Sequence, residues 1–86
     1  MREIIITNEA FQHLTEWANM DVKMMRKILD LTKEIQRTPF EGKGKPEPLK
    51  HYLKSCWSRR INDEHRLIYQ VTNDNIKIIS CKYHYQ

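Results

Sequence analysis

The sequence predicts an α+β fold: a small antiparallel β-sheet with two N-terminal helices packed on one face. Three observations carry this. Apolar residues recur at helical spacing through residues 8–37. After residue 54 the period falls to two in three successive segments. Between them, residues 37–51, "RTPFEGKGKPEPLKH", hold every glycine and proline of the chain: Pro39, Gly42, Gly44, Pro46 and Pro48. Helices followed by strands, with chain-breakers between, segregate into layers rather than alternate.

The elements follow in order. "REIIIT", residues 2–7, is β-branched and reads as a strand buried between neighbours. It joins the sheet either at an edge or in its middle. Asn8 is placed to cap a first helix, in which Phe11, Leu14, Trp17 and Ala18 form one apolar face. Asp21 caps a second helix, whose stripe is Met24, Ile28, Leu31 and Ile35, widened by Met25, Leu29 and Thr32. Pro39 ends it, because the residue before a proline avoids the helical region. The segments "SCWSRRI" (55–61), "HRLIYQVT" (65–72) and "NIKIISCKYHY" (75–85) are separated by Asn and Asp, which tolerate tight turns. They form a meander.

Eighty-six residues make a single domain, 1–86, with a modest core. No apolar run approaches the roughly 20 residues that span a bilayer, and "MREIIITNEAF" is no secretory signal, which points to the cytoplasm. Cys56 and Cys81 lie far apart in apolar-alternating segments and read as reduced packing residues. Histidines, cysteines and carboxylates show no zinc spacing, and there is no phosphate-binding glycine loop, so neither metal nor cofactor is expected. The net charge of +4 is unevenly spread. Residues 1–36 carry five Lys/Arg against six Asp/Glu, whereas residues 37–86 carry ten against five. A basic half suits a phosphate backbone, an acidic protein partner, or solubility alone.

Side-chain parity sorts the strands. A three-residue connection at 73–75 puts Thr72 opposite Ile76 and Arg66 opposite Lys82. One face then shows Leu67, Tyr69, Val71, Ile79, Cys81 and Tyr83, and the other Arg66, Ile68, Gln70, Ser80, Lys82 and His84. A two-residue turn mixes the faces. A three-residue turn at 62–64 adds Arg60 to the polar face and Trp57 to the apolar one, leaving Arg59 as a solvated charge. Arg60, Arg66, Lys82 and His84 then cluster with few acids beside them, which favours an anionic visitor.

Cutting RNA without a metal needs a base for the 2′-hydroxyl, cations for the phosphate, and an acid for the leaving 5′-oxygen. His84 suits the acid, its reference pKa being near 6.5. Glu47 suits the base if the loop covers the polar face; otherwise it is an ion-paired surface group among Lys43, Lys45 and Lys50. Arg66 and Arg60 suit the phosphate through bidentate bonds. Tyr85 can stack on a base or donate a proton. His13, His51 and His65 read as polar helix, surface or turn residues.

"RTPFEGKGKPEPLKH", "WSRRI", "EHRLIYQV" and "CKYHY" together resemble the YoeB toxins of the RelE superfamily. The match is strong over residues 37–85 and looser over the helices. The resemblance implies a RelE/microbial-ribonuclease-like fold and a ribosome-dependent endoribonuclease that cuts messenger RNA in the A site. It implies Glu47 as general base, Arg66 on the phosphate, His84 as general acid with Tyr85 beside it, Lys50 and Arg60 holding substrate, and Glu64 near the site. Lys82 joins the substrate-binding set from the polar cluster. The resemblance further implies a YefM-like antitoxin, operator DNA bound only through the antitoxin complex, and homodimers. The alternative is a non-catalytic basic module that blocks the ribosome sterically. Gln86 follows the "YHY" on which the family commonly ends.

Overall fold

The computed structural model describes residues 1–50 and 54–83. Strand β1 (Glu3–Ile6) leads into helix α1 (Asn8–Met20) and helix α2 (Val22–Arg37). Four strands follow: β2 (Glu47–Pro48), β3 (Cys56–Arg60), β4 (Arg66–Val71) and β5 (Asn75–Ser80). The sheet order is β1-β5-β4-β3-β2.

The caps are side-chain oxygens, as the sequence requires, with one shift. Thr7, not Asn8, caps α1: its hydroxyl oxygen accepts from the Ala10 N–H at 3.1 Å. Asp21 caps α2 by accepting from the Lys23 N–H, while its own N–H closes α1 on the Trp17 carbonyl. One residue therefore ends one helix and starts the next. Ala10 and Trp17 of α1 and Ile28, Leu31 and Ile35 of α2 enter the core. Phe11, expected on the buried face, is 64% exposed.

The sheet is mixed rather than wholly antiparallel. β1 pairs with β5 in parallel, Ile4 opposite Ile76 and Ile6 opposite Ile78. Nor is β1 flanked on both sides: it is an edge strand, and Ile5 and Ile6 are partly exposed. Periodicity reports which face a residue occupies but not strand direction. Direction is fixed by end contacts, among them the Glu3 N–H on Asp74 O and the Thr7 N–H on Ile78 O.

β3 and β4 pair in the predicted register, with Arg60 opposite Arg66 and Ile61 bonded to His65 across the 62–64 turn. The β4–β5 connection differs. It has two residues, closed by the Thr72 N–H on Asn75 O at 3.0 Å, so Val71 faces Ile76. A bulge at Ile79 then shifts the register by one, and Ile68 faces Ser80 as expected. The bulge reconciles a tight turn with an apolar face: Leu67, Tyr69, Val71, Ile76, Ile78 and Cys81 all join the core beneath the helices. Ile79 and Tyr83, expected there, do not, and Tyr83 is 59% exposed.

Candidate active site

The glycine- and proline-rich loop is organised by Arg59. Pleating that sends Ser58 and Arg60 to one face sends Trp57, Arg59 and Ile61 to the other. Arg59 is therefore fully buried, not solvated. Its Nη1 donates to Glu34 Oε2 at 2.6 Å and Lys43 O at 3.1 Å, and its Nη2 to Thr38 O at 2.6 Å and Glu41 O at 2.7 Å. Its Nε donates to the Tyr69 hydroxyl, which in turn donates to Pro39 O. A buried cation is tolerable only when its charge and donors are matched, and here a carboxylate and three loop carbonyls match it. Burial raises the Tyr69 pKa, partly offset by the Arg59 bond, so the phenol stays a donor.

The glycines close this packing. Gly42 has φ +119°, and a β-carbon there would lie 2.6 Å from Glu34 Oε2 and 3.1 Å from Arg59 Nη1. Gly44 has φ +85°, with a β-carbon 2.9 Å from Arg60 O. Gly42→Ala is accordingly expected to destabilise the fold by about 1–3 kcal/mol, read as a lowered urea midpoint with unchanged slope.

The loop so held delivers Glu47. Its two-residue strand pairs with β3, Glu47 opposite Ser58 and Pro48 opposite Trp57, and the Arg60 N–H bonds Gly44 O. Ser58 shares its face with Arg60, and Arg60 is opposite Arg66. Glu47, Arg60 and Arg66 therefore project from one sheet face, the one turned away from the helices, with Glu47 about two residues, roughly 7 Å, along the strand from the arginine pair. Glu47 and Arg60 are exposed and Arg66 half-buried. Like charges placed directly opposite are unfavourable unless an anion joins them. Arg66 Nη1 donates to the carbonyls of Asn62, Asp63 and His65. Its Nε and Nη2 bond no described residue.

Other expected residues are placed differently. Lys50 is exposed just beyond β2. Glu64 is exposed in the 62–65 turn, its Oε1 3.7 Å from His65 Nε2. Lys82 is not opposite Arg66, because β5 ends at Ser80. Its ammonium bonds Glu16 of α1 at 2.7 Å and lies over the Trp17 and Tyr83 rings. That hydrogen bond raises the Lys82 pKa and lowers that of Glu16. His84, Tyr85 and His51 lie outside the described residues. Cys56 and Cys81 are free, buried thiols, and burial pushes Cys81 up to about 12, consistent with packing roles.

A groove of about 470 Å³ between α2 and the loop is lined by Lys27, Glu34, Lys43 and Arg60, among others. It reaches that sheet face only at Arg60; Glu47 and Arg66 lie outside it.

By fold this is a RelE-like toxin. The Agrobacterium tumefaciens YoeB/ParE toxin superposes with a TM-score of 0.91 at 40% identity, covering 96% of this chain and 99% of that one. The toxin in a heterotetrameric YoeB–YefM complex from Staphylococcus aureus gives 0.86 at 48% identity, covering 99% of each. The sequence narrows the class. Residues 6–85 match the YoeB-like toxin of bacterial type II toxin-antitoxin systems. Toxin YoeB of Escherichia coli K12 is 51% identical over 83 residues, covering 96% of this chain and 99% of its own length. The chain belongs to the YoeB-like toxin family.

Proposed function

We propose that this toxin is a ribosome-dependent endoribonuclease that cuts messenger RNA in the A site by metal-independent acid–base catalysis. The observation that supports it best is the gathering of Glu47, Arg60 and Arg66 on one sheet face by strands β2, β3 and β4. Glu47 takes the proton of a 2′-hydroxyl, and the freed oxygen attacks the adjacent phosphorus. Arg66, assisted by Arg60, binds the non-bridging oxygens as charge builds on them. His84 protonates the departing 5′-oxygen, with Tyr85 beside it. The products are a 2′,3′-cyclic phosphate, which opens to a 3′-phosphate, and a 5′-hydroxyl. Lys50, Lys82 and Glu64 complete the substrate-binding set, and the basic C-terminal half draws the toxin to ribosomal RNA.

The partner is a YefM-like antitoxin, as in the Staphylococcus aureus complex, and operator DNA is reached only through that complex. Without the antitoxin the toxin can form a homodimer, like the Staphylococcus aureus YoeB dimer. The toxin acts in the cytoplasm; none of its described helices is long and apolar enough to cross a membrane.

Primer extension tests the reading, using purified toxin and one messenger RNA with and without programmed ribosomes. The expected result is a new 5′ end within the A-site codon, only when ribosomes are present. Intact messenger RNA in both reactions, with translation still blocked, would replace the nuclease by a basic module that acts by occupancy.

A further inference from the structure

Beyond Ser80 the chain leaves the sheet, and side chains take over the bonding that a strand partner would supply. His13 Nδ1 accepts the Cys81 N–H at 3.2 Å, and Trp17 Nε1 donates to the Cys81 carbonyl at 3.0 Å. His65 Nδ1 accepts the Tyr83 N–H at 2.8 Å, and the Arg66 N–H donates to the Tyr83 carbonyl at 3.0 Å. Both peptide groups flanking Lys82 are thus tied down, and Tyr83 turns the chain with φ +68°. The His65 ring is buried, edge-on to Trp17 at 4.9 Å and 5.9 Å from the Tyr83 ring. What only imidazole supplies here is an acceptor nitrogen aimed at a backbone N–H.

We propose that His13 and His65, as neutral imidazoles, clamp the backbone of residues 81–83, the segment that immediately precedes His84 in the sequence. They are positioning residues rather than catalytic ones, and their effect on cleavage rests on the function proposed above, in which His84 is the acid. Each Nδ1 must be unprotonated to accept, which assigns the proton to Nε2. An imidazolium would set an N–H against an N–H and open the clamp.

Several groups surround each ring. His13 faces Glu9 and Glu16 of α1, the Ser80 hydroxyl at 3.4 Å, Lys82, and the Tyr83 ring edge-on at 6.4 Å. Burial lowers its pKa, outweighing the two glutamates, which raise it. His65 faces Glu64, Trp17, Tyr83 and the backbone of Arg66. A histidine depressed in the folded state holds fewer protons there than when unfolded. The His13 contribution is therefore intact well above about pH 6.5 and is lost as the pH falls below it.

The test pairs His65→Leu, which removes the acceptor, with His65→Asn, whose side-chain oxygen returns one near the Nδ1 position; His13→Leu and His13→Asn form a second pair. Amide exchange at Tyr83 and Cys81 is followed by NMR in the free protein, and kcat and KM are measured on programmed ribosomes. In the wild type both amides should be protected at pH 7.5, and the Cys81 amide should lose protection, relative to intrinsic exchange, as the pH falls through the lowered His13 pKa. His65→Leu should expose the Tyr83 amide and lower kcat roughly 10- to 100-fold with KM little changed, the signature of a misplaced reacting group. The asparagine should recover most of both. Unchanged Tyr83 protection in the leucine variant, or no recovery with asparagine, overturns the clamp. If a leucine variant does not fold, the asparagine variants still decide: a Tyr83 or Cys81 amide left unprotected in a folded asparagine variant overturns the clamp. Absence of cutting by wild-type protein would count against the nuclease alone, because the exchange measurements need no ribosome.

Discussion

Arg59→Leu is expected to lower the unfolding free energy by about 3–5 kcal/mol, the range found when one partner of a buried ion pair is removed. A domain of this size has only about 5–15 kcal/mol in all. The guanidinium is fully buried, so its loss leaves Glu34 with the Lys43 N–H but no countercharge, and strips a donor from Thr38 O, Glu41 O and Lys43 O together. Lysine should not rescue it, since a single ammonium cannot span carbonyls on two sides of the loop as a planar fork does. Glu34→Gln should cost less, about 1–3 kcal/mol, because its amide oxygen still accepts from Arg59. Urea unfolding followed by tryptophan fluorescence reads both. An Arg59→Leu loss below about 0.5 kcal/mol, the usual surface value, would show that the loop is held by something else.

That network also marks how far the sequence could be read. Parity alone puts Arg59 on the apolar side once Arg60 is placed on the polar one, and an arginine there demands a carboxylate. Glu34, one turn before the helix ends, was the available candidate. Arg59 is accordingly buried against Glu34 rather than solvated. The β3–β4 register was legible because its turn length and both faces agree. The β4–β5 hairpin was not, since a bulge lets a two-residue turn and a consistent apolar face coexist, and no local residue preference distinguishes that from a three-residue turn. The direction of β1 depends on end contacts with Asp74 and Ile78, roughly seventy residues away. The histidine contacts are equally remote, His13 with Cys81 and His65 with Tyr83. For the site itself, alternation in "SRRI" and "HRLIY" puts two arginines on one face, whereas the chain-breakers around Glu47 mark a loop without saying which face it covers.

That face makes the sharpest functional prediction. Glu47→Gln should reduce cleavage on the ribosome about 10²–10⁴-fold, the usual loss when a general base is removed. Arg66→Ala should reduce it about 10²–10³-fold, as loss of a donor to developing charge does. Glu47 is exposed on a two-residue strand, so Glu47→Gln should leave the unfolding free energy within about 0.5 kcal/mol of wild type. Sedimentation with ribosomes should be unchanged for Glu47→Gln, because a base acts on the reacting atoms and adds little to docking. Arg66→Lys should recover only part of the activity, since an ammonium offers no bidentate fork to two phosphate oxygens. The double variant Glu47→Gln/Arg66→Ala discriminates further. If both groups serve the same transition state, the combined loss should fall short of the product of the single losses, as happens when residues act as a unit. Multiplicative losses would mean that Arg66 assists a step separate from the proton transfer, such as seating the messenger RNA. Wild-type cutting by Glu47→Gln would remove Glu47 from the base role and leave its position beside the arginine pair as a matter of charge alone.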